Sequence, residues 1–501
     1  MKSKKNRWSI IILVLLSVLE ILIALQVWHL NIVPFKYFLL MIAAVLLLDL
    51  LVANLLLSSI KRKKKPWRRI LGHILSVLIV IGLFFTSQAL SKLQETMDAV
   101  TQTTEVSAVV ELYVLQESSA ESLEDIADCQ IAIAESVDQE NTKVTLDAME
   151  VSMGKDIQCV SYDNIFSMVD ALYEKEVDAL LLNSAYVDII PELENYIDFQ
   201  ERVKCIWQYD VHQVVKTEVV EEAEEQIEAE DPKEAPFVVY ISGSDTRSKK
   251  LKTSRSDVNI LAVVNPKTEQ ILLVNTPRDY YIGNPAGGGA LDKLTHCGIY
   301  GVDCSMEALS ILYDEEIKYY GQINFTGFEK LIDAVGGVDV YSEAAFTTPY
   351  GGFYVEKGMN HFNGKQALDF ARDRYSLKSG DNARGQNQMK VIKAVIDQIS
   401  AGNVITNYSE IMDSLQGMFA TNISADKISE LVKLQISEMI HWDVKSYAVT
   451  GRGDSQRTYS IPGANAYVMR PNQETVDLAT RLINKVMAGE VVTDNDLINL
   501  Q

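Results

Sequence analysis

The stretch Ser254–Tyr281, "SRSDVNILAVVNPKTEQILLVNTPRDYY", decides the fold of much of this 501-residue chain. "VNILAVVN" and "ILLVN" are short continuous apolar runs, the pattern of strands buried on both faces. "PKTE" between them is a turn. Charge collects at the outer ends of the two runs and not inside them. Arg255 and Asp257 precede the first run, two apart and so on one face of an extended segment. Arg278 and Asp279 follow the second.

The same pattern extends in both directions. Upstream, "FVVYIS" from Phe237 is a strand ended by "GSDTRS", which places Asp245 and Arg247 directly behind it. Downstream, "YYGQINFTGFEKLIDAVGGVDVY" (Tyr319–Tyr341) supplies a strand, a helix, a Gly-Gly break and another strand. Strands alternating with helices imply an α/β domain running from Phe237 to the C-terminal end, residues 237–501. In open α/β sheets ligands collect in the crevice at strand ends, where these charges fall. Two carboxylates among arginines suit one Mg²⁺ and the phosphate oxygens it bridges. No Cys–His or Ser–His pairing offers a nucleophile. His296 and His361 are isolated in sequence, and lone histidines are more often structural than catalytic.

"FARDRYSLKSGDNARGQNQMK" (Phe370–Lys390) gathers Arg372, Arg374 and Arg384 in a chain of formal net charge −22. In an extended segment Arg372 and Arg374 would leave one face. From Asn382 a helix is expected, with Val391, Val395 and Ile399 as its inward stripe. Arg384 and Gln388 continue that stripe backwards, toward the protein. Arginine forks near a helix N-terminus suit a phosphate or pyrophosphate. The plainer alternative is that they pair with the chain's many carboxylates.

Three apolar runs, about 8–30, 35–60 and 70–90, are each long enough to span a bilayer, so residues 1–90 read as a membrane anchor. Basic residues precede the first run and separate the second from the third. By the positive-inside rule the N-terminus is cytoplasmic and everything after about residue 91 lies outside. Residues 1–69 carry net +10, which leaves −32 for the remaining 432. So acidic an exported region excludes nucleic acid as a partner. Glu20 and Asp49 fall mid-span, where ionisable groups are costly. They are expected either to meet as a pair, to bind another membrane protein, or to be tolerated polar residues.

Residues 91–215 read as a stalk and a small accessory α/β domain with a parallel sheet. Residues 216–236 are an acidic linker. Five cysteines are too few for a disulfide framework. Cys129 and Cys159 either pair or stay as thiols, and the close Cys297 and Cys304 leave the same choice. The "GRGD" at Gly451–Asp454 is best explained by chance.

"GSDTRS", "SRSDVNILAVVNP", "VNTPRDYY", "LDKLTHCGIYG", "YYGQINFTGFEKLIDAVGGVDVY" and "FARDRYSLKSGDNARGQNQMKVI" together resemble the ordered motifs of the LytR-CpsA-Psr family, over about Phe237–Gly402. The three-span anchor, accessory domain and "GIYGVD" resemble its capsule-locus CpsA branch. The resemblance implies an α/β/α fold that moves a capsular-type polysaccharide or related anionic glycopolymer from a polyprenyl-pyrophosphate lipid to peptidoglycan. It implies Asp245 and Asp257 as ligands of Mg²⁺ (or Mn²⁺). Arg255, Arg278, Arg372, Arg374, Arg384 and Gln388 match its pyrophosphate-binding positions. Asp257, Arg278 and Arg374 are the residues expected to act on the reacting atoms. His296-Cys297 stands where small residues are commoner in the family. Two alternatives stay beside transfer: hydrolysis of the same lipid, and a non-catalytic regulator of polymer assembly and length acting with other capsule-assembly membrane proteins.

Overall fold

A computed structural model describes residues 2–61, 66–101, 108–135, 137–211, 235–247, 250–374, 376, 381–400, 411, 415–462 and 464–498. The chain forms two compact units. The first holds three apolar helices, α1 (Lys2–Leu30), α2 (Phe35–Lys61) and α3 (Pro66–Thr101), with the later helix Ala425–Glu438. Within α1–α3 the stretches Arg7–Leu30, Phe35–Leu57 and Trp67–Glu95 are long and apolar enough to cross a membrane. Leu16, Val52 and Leu56 form a small core between them, while Leu15, Leu22, Leu47 and Phe85 point outward. That is the inverse of a soluble bundle and suits lipid. A side chain at Gly72 would come within 2.9 Å of Leu56, so the glycine permits the close approach of α3 to α2. Glu20 and Asp49 do meet, through a side-chain hydrogen bond. Lys433 Nζ donates to Asn31 Oδ1 at 2.9 Å, and Lys36 Nζ to the Ser437 carbonyl at 2.9 Å.

The second unit holds two α/β layers. The smaller sheet has β1 (Ala108–Leu115), β2 (Gln130–Ala134), β3 (Gln158–Tyr162), β4 (Ala179–Asn183) and β5 (Val203–Val211), in the order β3-β2-β4-β1-β5. The expected parallel sheet is in fact mixed. β2 runs parallel to β3 and β4, because α4 (Gln139–Met153) and α5 (Ile165–Tyr173) carry the chain back between them. β1 and β5 lie outside that run and pair antiparallel. Asn164 caps α5 by accepting from Phe166 N and Ser167 N.

The larger sheet has six strands, centred on β6 (Phe237–Ser244), β7 (Val258–Asn265) and β8 (Gln270–Asn275). The Asn265 side chain accepts from Lys267 N and Thr268 N and so closes the turn between β7 and β8. Alternation along β7 sets the layers. Ile260 and Ala262 pack on one face with Met389 of helix Asp381–Gln398. Leu261 and Val263 pack on the other with Leu309 of helix Val302–Tyr313 and Leu482 of helix Gln473–Met487. Truncating a fully buried leucine such as Leu261 to alanine costs about 2–5 kcal/mol. The result is the α/β/α sandwich.

Strand direction then fixes where the charges go. Gly243 pairs with Val258 and Ile260 with Asn275, so the end of β6, the start of β7 and the end of β8 share one edge. Strand Tyr319–Asn324 runs parallel to β6 and ends at the same edge, beside Ser244. The antiparallel β7 thus brings its leading residues, Arg255 and Asp257, alongside the trailing residues of its neighbours. All five cysteines are free thiols, which closes the disulfide alternatives for Cys129–Cys159 and Cys297–Cys304.

Candidate functional site

The segment before β7 is held rigidly. Ser256 N donates to the Thr295 carbonyl at 3.1 Å and Asp257 N to the Gly243 carbonyl at 2.8 Å. Ser256 Oγ shares hydrogen bonds with Tyr240 (2.8 Å) and Ser242 (3.0 Å), and Tyr240 donates to Asn259 Oδ1 at 2.6 Å. All four side chains are buried. A methyl on Gly298 would lie 2.7 Å from Ser256 N and 2.8 Å from the Ser254 carbonyl, backbone atoms with nowhere to go. Glycine there lets the 294–301 segment press against the lead into β7.

From this base Asp257 meets Arg278, whose Nη1 donates to Oδ1 at 2.7 Å. Burial works to raise the Asp257 carboxyl, but Arg278, Arg255 and Arg384 outweigh it and bring it down to about 2. Arg255 reaches Asp245 with Nη2 at 3.6 Å. Burial pushes the Asp245 carboxyl up to about 6, with the Asp257 charge adding to the rise. One carboxylate is thus firmly ionised, and its neighbour gives up its proton only as pH rises through about 6.

Arg384 and Gln388 lie in the helix Asp381–Gln398 and both are buried. That helix comes close because Gly385 has no side chain: a methyl would sit 2.2 Å from Asn275 Nδ2 at the end of β8. Arg384 is charge-coupled to Asp257, so the structure brings Asp245, Arg255, Asp257, Arg278 and Arg384 together. Arg372 differs from expectation. It is not in an extended segment but closes the helix Gly364–Arg372, with its guanidinium between the Phe325 (4.4 Å) and Tyr350 (4.3 Å) rings. Phe325 N donates to the Thr246 carbonyl at 3.3 Å, which ties this stack to the Asp245 turn. Arg374 is half-buried two residues beyond the helix, past Asp373, whose backbone is extended. Because Arg372 ends a helix, the two arginines do not share the face of one strand.

Sequence reasoning missed the residues that hold Arg255 from behind. Glu192, from the segment after β4, accepts from Arg255 Nη1 at 3.0 Å and from Lys293 Nζ. His296 is not isolated. It is fully buried, with Nδ1 2.7 Å from Asp292 Oδ1 and Nε2 3.5 Å from Glu192 Oε1. Burial opposes its protonation, yet Asp292 and Glu192 raise its pKa. The four-residue step from Asp292 to His296 was the available signal. No sequence signal pointed to Glu192, which lies 63 positions from Arg255. His361 pairs with Asp339 at 2.8 Å on the surface.

Two carboxylates beside three arginines can hold a polyanion and a divalent cation. Among the described residues no group of three or more His, Cys, Asp or Glu side chains could cage a metal alone. Mg²⁺ asks for less, since it is commonly held by one or two carboxylates plus substrate phosphates. The Asp245–Asp257 pair fits that need, because the repulsion that disfavours a second buried charge is what a cation relieves.

The chain is similar in sequence to several known proteins. The "Polyisoprenyl-teichoic acid--peptidoglycan teichoic acid transferase TagU" of Oceanobacillus iheyensis is 34% identical over 201 residues, 39% of this chain and 61% of that protein. The TagU of Enterococcus faecalis is 33% identical over 39% of this chain and 64% of its own. The TagU of Bacillus cereus strain ATCC 14579 is 32% identical over 45% of this chain and 72% of its own. The matches to the first two thus span less than two thirds of those relatives. Among solved structures, B. subtilis TagV is similar at 24% identity and a TM-score of 0.43, over 52% of this chain and all of that one. "TagT bound to LI-WTA" is similar at 26% and 0.42, over 54% and 93%. A family model matches residues 206–478, more than half the chain, so the protein belongs to the LytR_cpsA_psr family.

Proposed function

We propose that this protein transfers a capsular-type polysaccharide or related anionic glycopolymer from a polyprenyl-pyrophosphate carrier to peptidoglycan. The observation that carries the reading is the convergence of Arg255, Arg278 and Arg384 on Asp257 at one sheet edge. Arg255 and Arg278 are also paired with Glu192, Asp245 and Asp279, so what they offer a pyrophosphate is a set of placed guanidinium donors. The TagU relatives, named as transferases to peptidoglycan, support the same class of reaction.

In this reading Arg255, Arg278, Arg384 and Gln388 bind the pyrophosphate, while Arg372 and Arg374 approach it from the end of the helix Gly364–Arg372. Asp257 stays ionised and orients Arg278. Asp245 and Asp257 would hold Mg²⁺ or Mn²⁺. Such a cation, if bound, would stabilise charge developing on the leaving phosphate, and the reaction would then be a metal-dependent phosphotransfer. Asp245, with its raised pKa, is suited to accept the proton of the attacking sugar hydroxyl.

Orientation belongs to the same proposal. Positive charge before the first apolar helix and between the second and third supports, by the positive-inside rule, an N-terminus in the cytoplasm with both sheets outside, where peptidoglycan lies. Protease added to wall-free cells should remove the region after α3. The chemistry is tested by incubating the purified protein with lipid-linked oligosaccharide and peptidoglycan fragments, followed by mass analysis. A glycan–peptidoglycan conjugate is expected. Its absence under every metal tried, with lipid intact, would overturn transfer, and free oligosaccharide phosphate would identify a hydrolase.

A further inference from the structure

A cavity of 360 Å³ opens where the segment around β4 meets the loops of the larger sheet. Ser184, Asp188 and Glu111 line it from the smaller domain, and Asp245, Arg247, Lys252 and Ser254 from the larger. Its size suits a small ligand or a few sugar units. Three of these side chains are carboxylates and two are cations, and Arg247 is already committed to Glu329 at 3.1 Å. The balance is wrong for a pyrophosphate, which the neighbouring arginines serve better. The polar wall is equally wrong for a polyprenyl chain.

Ser254 lies at the wall next to the arginine cluster. Its side chain is 4% exposed, it lines the cavity, and its Oγ has no hydrogen-bond partner among the described residues. A buried hydroxyl left unmatched costs on the order of 1–3 kcal/mol, and with less than 1 Å² of the oxygen open, a rotation about its Cα–Cβ bond would be needed for a ligand in the cavity to match it. A neutral, hydroxyl-rich molecule matches serine, threonine and carboxylate lining alike. Asp245 belongs both to this wall and to the arginine cluster, since Arg255 Nη2 lies 3.6 Å from it. A sugar seated in the cavity therefore brings a hydroxyl next to the place where the pyrophosphate would bind.

We propose that this cavity is the acceptor subsite, taking the neutral N-acetylated glycan of the wall, and that the smaller α/β domain builds half of it. The inference rests on the transferase reading and adds what the smaller domain is for. It is tested on the full chain in detergent, with an N-acetylglucosamine tetramer and a polyprenyl pyrophosphate as separate calorimetric probes. Ser184→Leu fills the cavity without changing charge, and Asp188→Asn removes a carboxylate while keeping its shape. The tetramer should bind at least tenfold more weakly to Ser184→Leu and about fivefold more weakly to Asp188→Asn. The lipid affinity should stay within twofold in Ser184→Leu, whereas Asp188 also faces Arg255 and Asp245, so Asp188→Asn is read on the tetramer alone. Unchanged tetramer affinity in Asp188→Asn, or equal losses for both probes in Ser184→Leu, overturns the subsite. Wild-type protein that binds the lipid but not the tetramer overturns it too. Wild-type protein that binds the tetramer at this cavity but not the lipid sustains the subsite and sinks the donor reading instead.

Discussion

The sheet-edge cluster and the arginines that close the helix Gly364–Arg372 carry the same residue type in opposite settings. At the edge, Arg278 and Arg255 are mostly buried, each against a carboxylate 2.7–3.0 Å away. Their positions are set before any ligand arrives. Arg372 is half-buried and held between two aromatic faces, with the Asp369 carboxylate as a neighbouring charge. Buried pairing trades freedom for placement. Stacking places the guanidinium plane and leaves its edge available. A pyrophosphate site that uses both has fixed charge at its floor and directional donors at its rim.

The largest effect should come from breaking the floor. Arg278→Ala strands the buried Asp257 carboxylate, and removal of one partner of a buried pair costs about 3–5 kcal/mol. Thermal unfolding should show a large fall in Tm, and transfer should drop below detection. Wild-type stability would show that the pair is not strongly coupled.

Glu192→Gln comes next, because it removes the charge shared by Arg255, Lys293 and His296 while keeping the shape. A loss of about 1–3 kcal/mol is expected. Lipid affinity should fall through Arg255, although Glu192 itself is placed behind the site. Undiminished affinity would make Glu192 a domain tie only.

Asp245→Asn sharpens the comparison by pH. In metal-free protein the folded-state pKa of Asp245 is about 6, above the ordinary 3.8, so its contribution to stability is full below pH 4 and is lost as pH rises through 6. His296 acts in the same direction, with its stabilisation present below its ordinary 6.5 and lost as pH rises past its raised value. Asp257, lowered to about 2, contributes above pH 4 and fails only as pH falls toward 2. In chelator, Asp245→Asn should therefore have the higher Tm at pH 8, by a few degrees or so. Added Mg²⁺ should raise the Tm of the wild type with lipid pyrophosphate present and leave that of the variant unmoved. A variant less stable than wild type at pH 8 in chelator would contradict the raised pKa.

The smallest change in stability should follow Arg→Lys at the rim. Arg372→Lys keeps charge and gives up the planar stack, worth about 0.5–2 kcal/mol. Arg374→Lys should fold as the wild type does. Both should bind polyprenyl pyrophosphate several-fold more weakly and release less polymer onto peptidoglycan, because an ammonium lacks the bidentate fork. Normal transfer by both would make these arginines structural.

Local chemistry made much of this legible in advance. Apolar runs bounded by turn residues marked β6, β7 and β8, and the charges at their ends could lie nowhere but at a sheet edge. The length and hydropathy of α1–α3 are properties of the chain itself. The buried Arg384 and Gln388 followed from helical periodicity. The rest depended on pairing across distance. Strand direction decided that the start of β7 joins the ends of β6 and β8, and that the smaller sheet is mixed. Where the helix Gly364–Arg372 stops decided that Arg372 stacks on Phe325 and Tyr350 and does not run beside Arg374. Glu192 entered the site through the packing of one domain on another, 63 positions from Arg255. Period and composition are written residue by residue and survive in the sequence. Contacts made by folding distant segments together are selected by the summed burial and charge of the whole unit, and no single stretch records them.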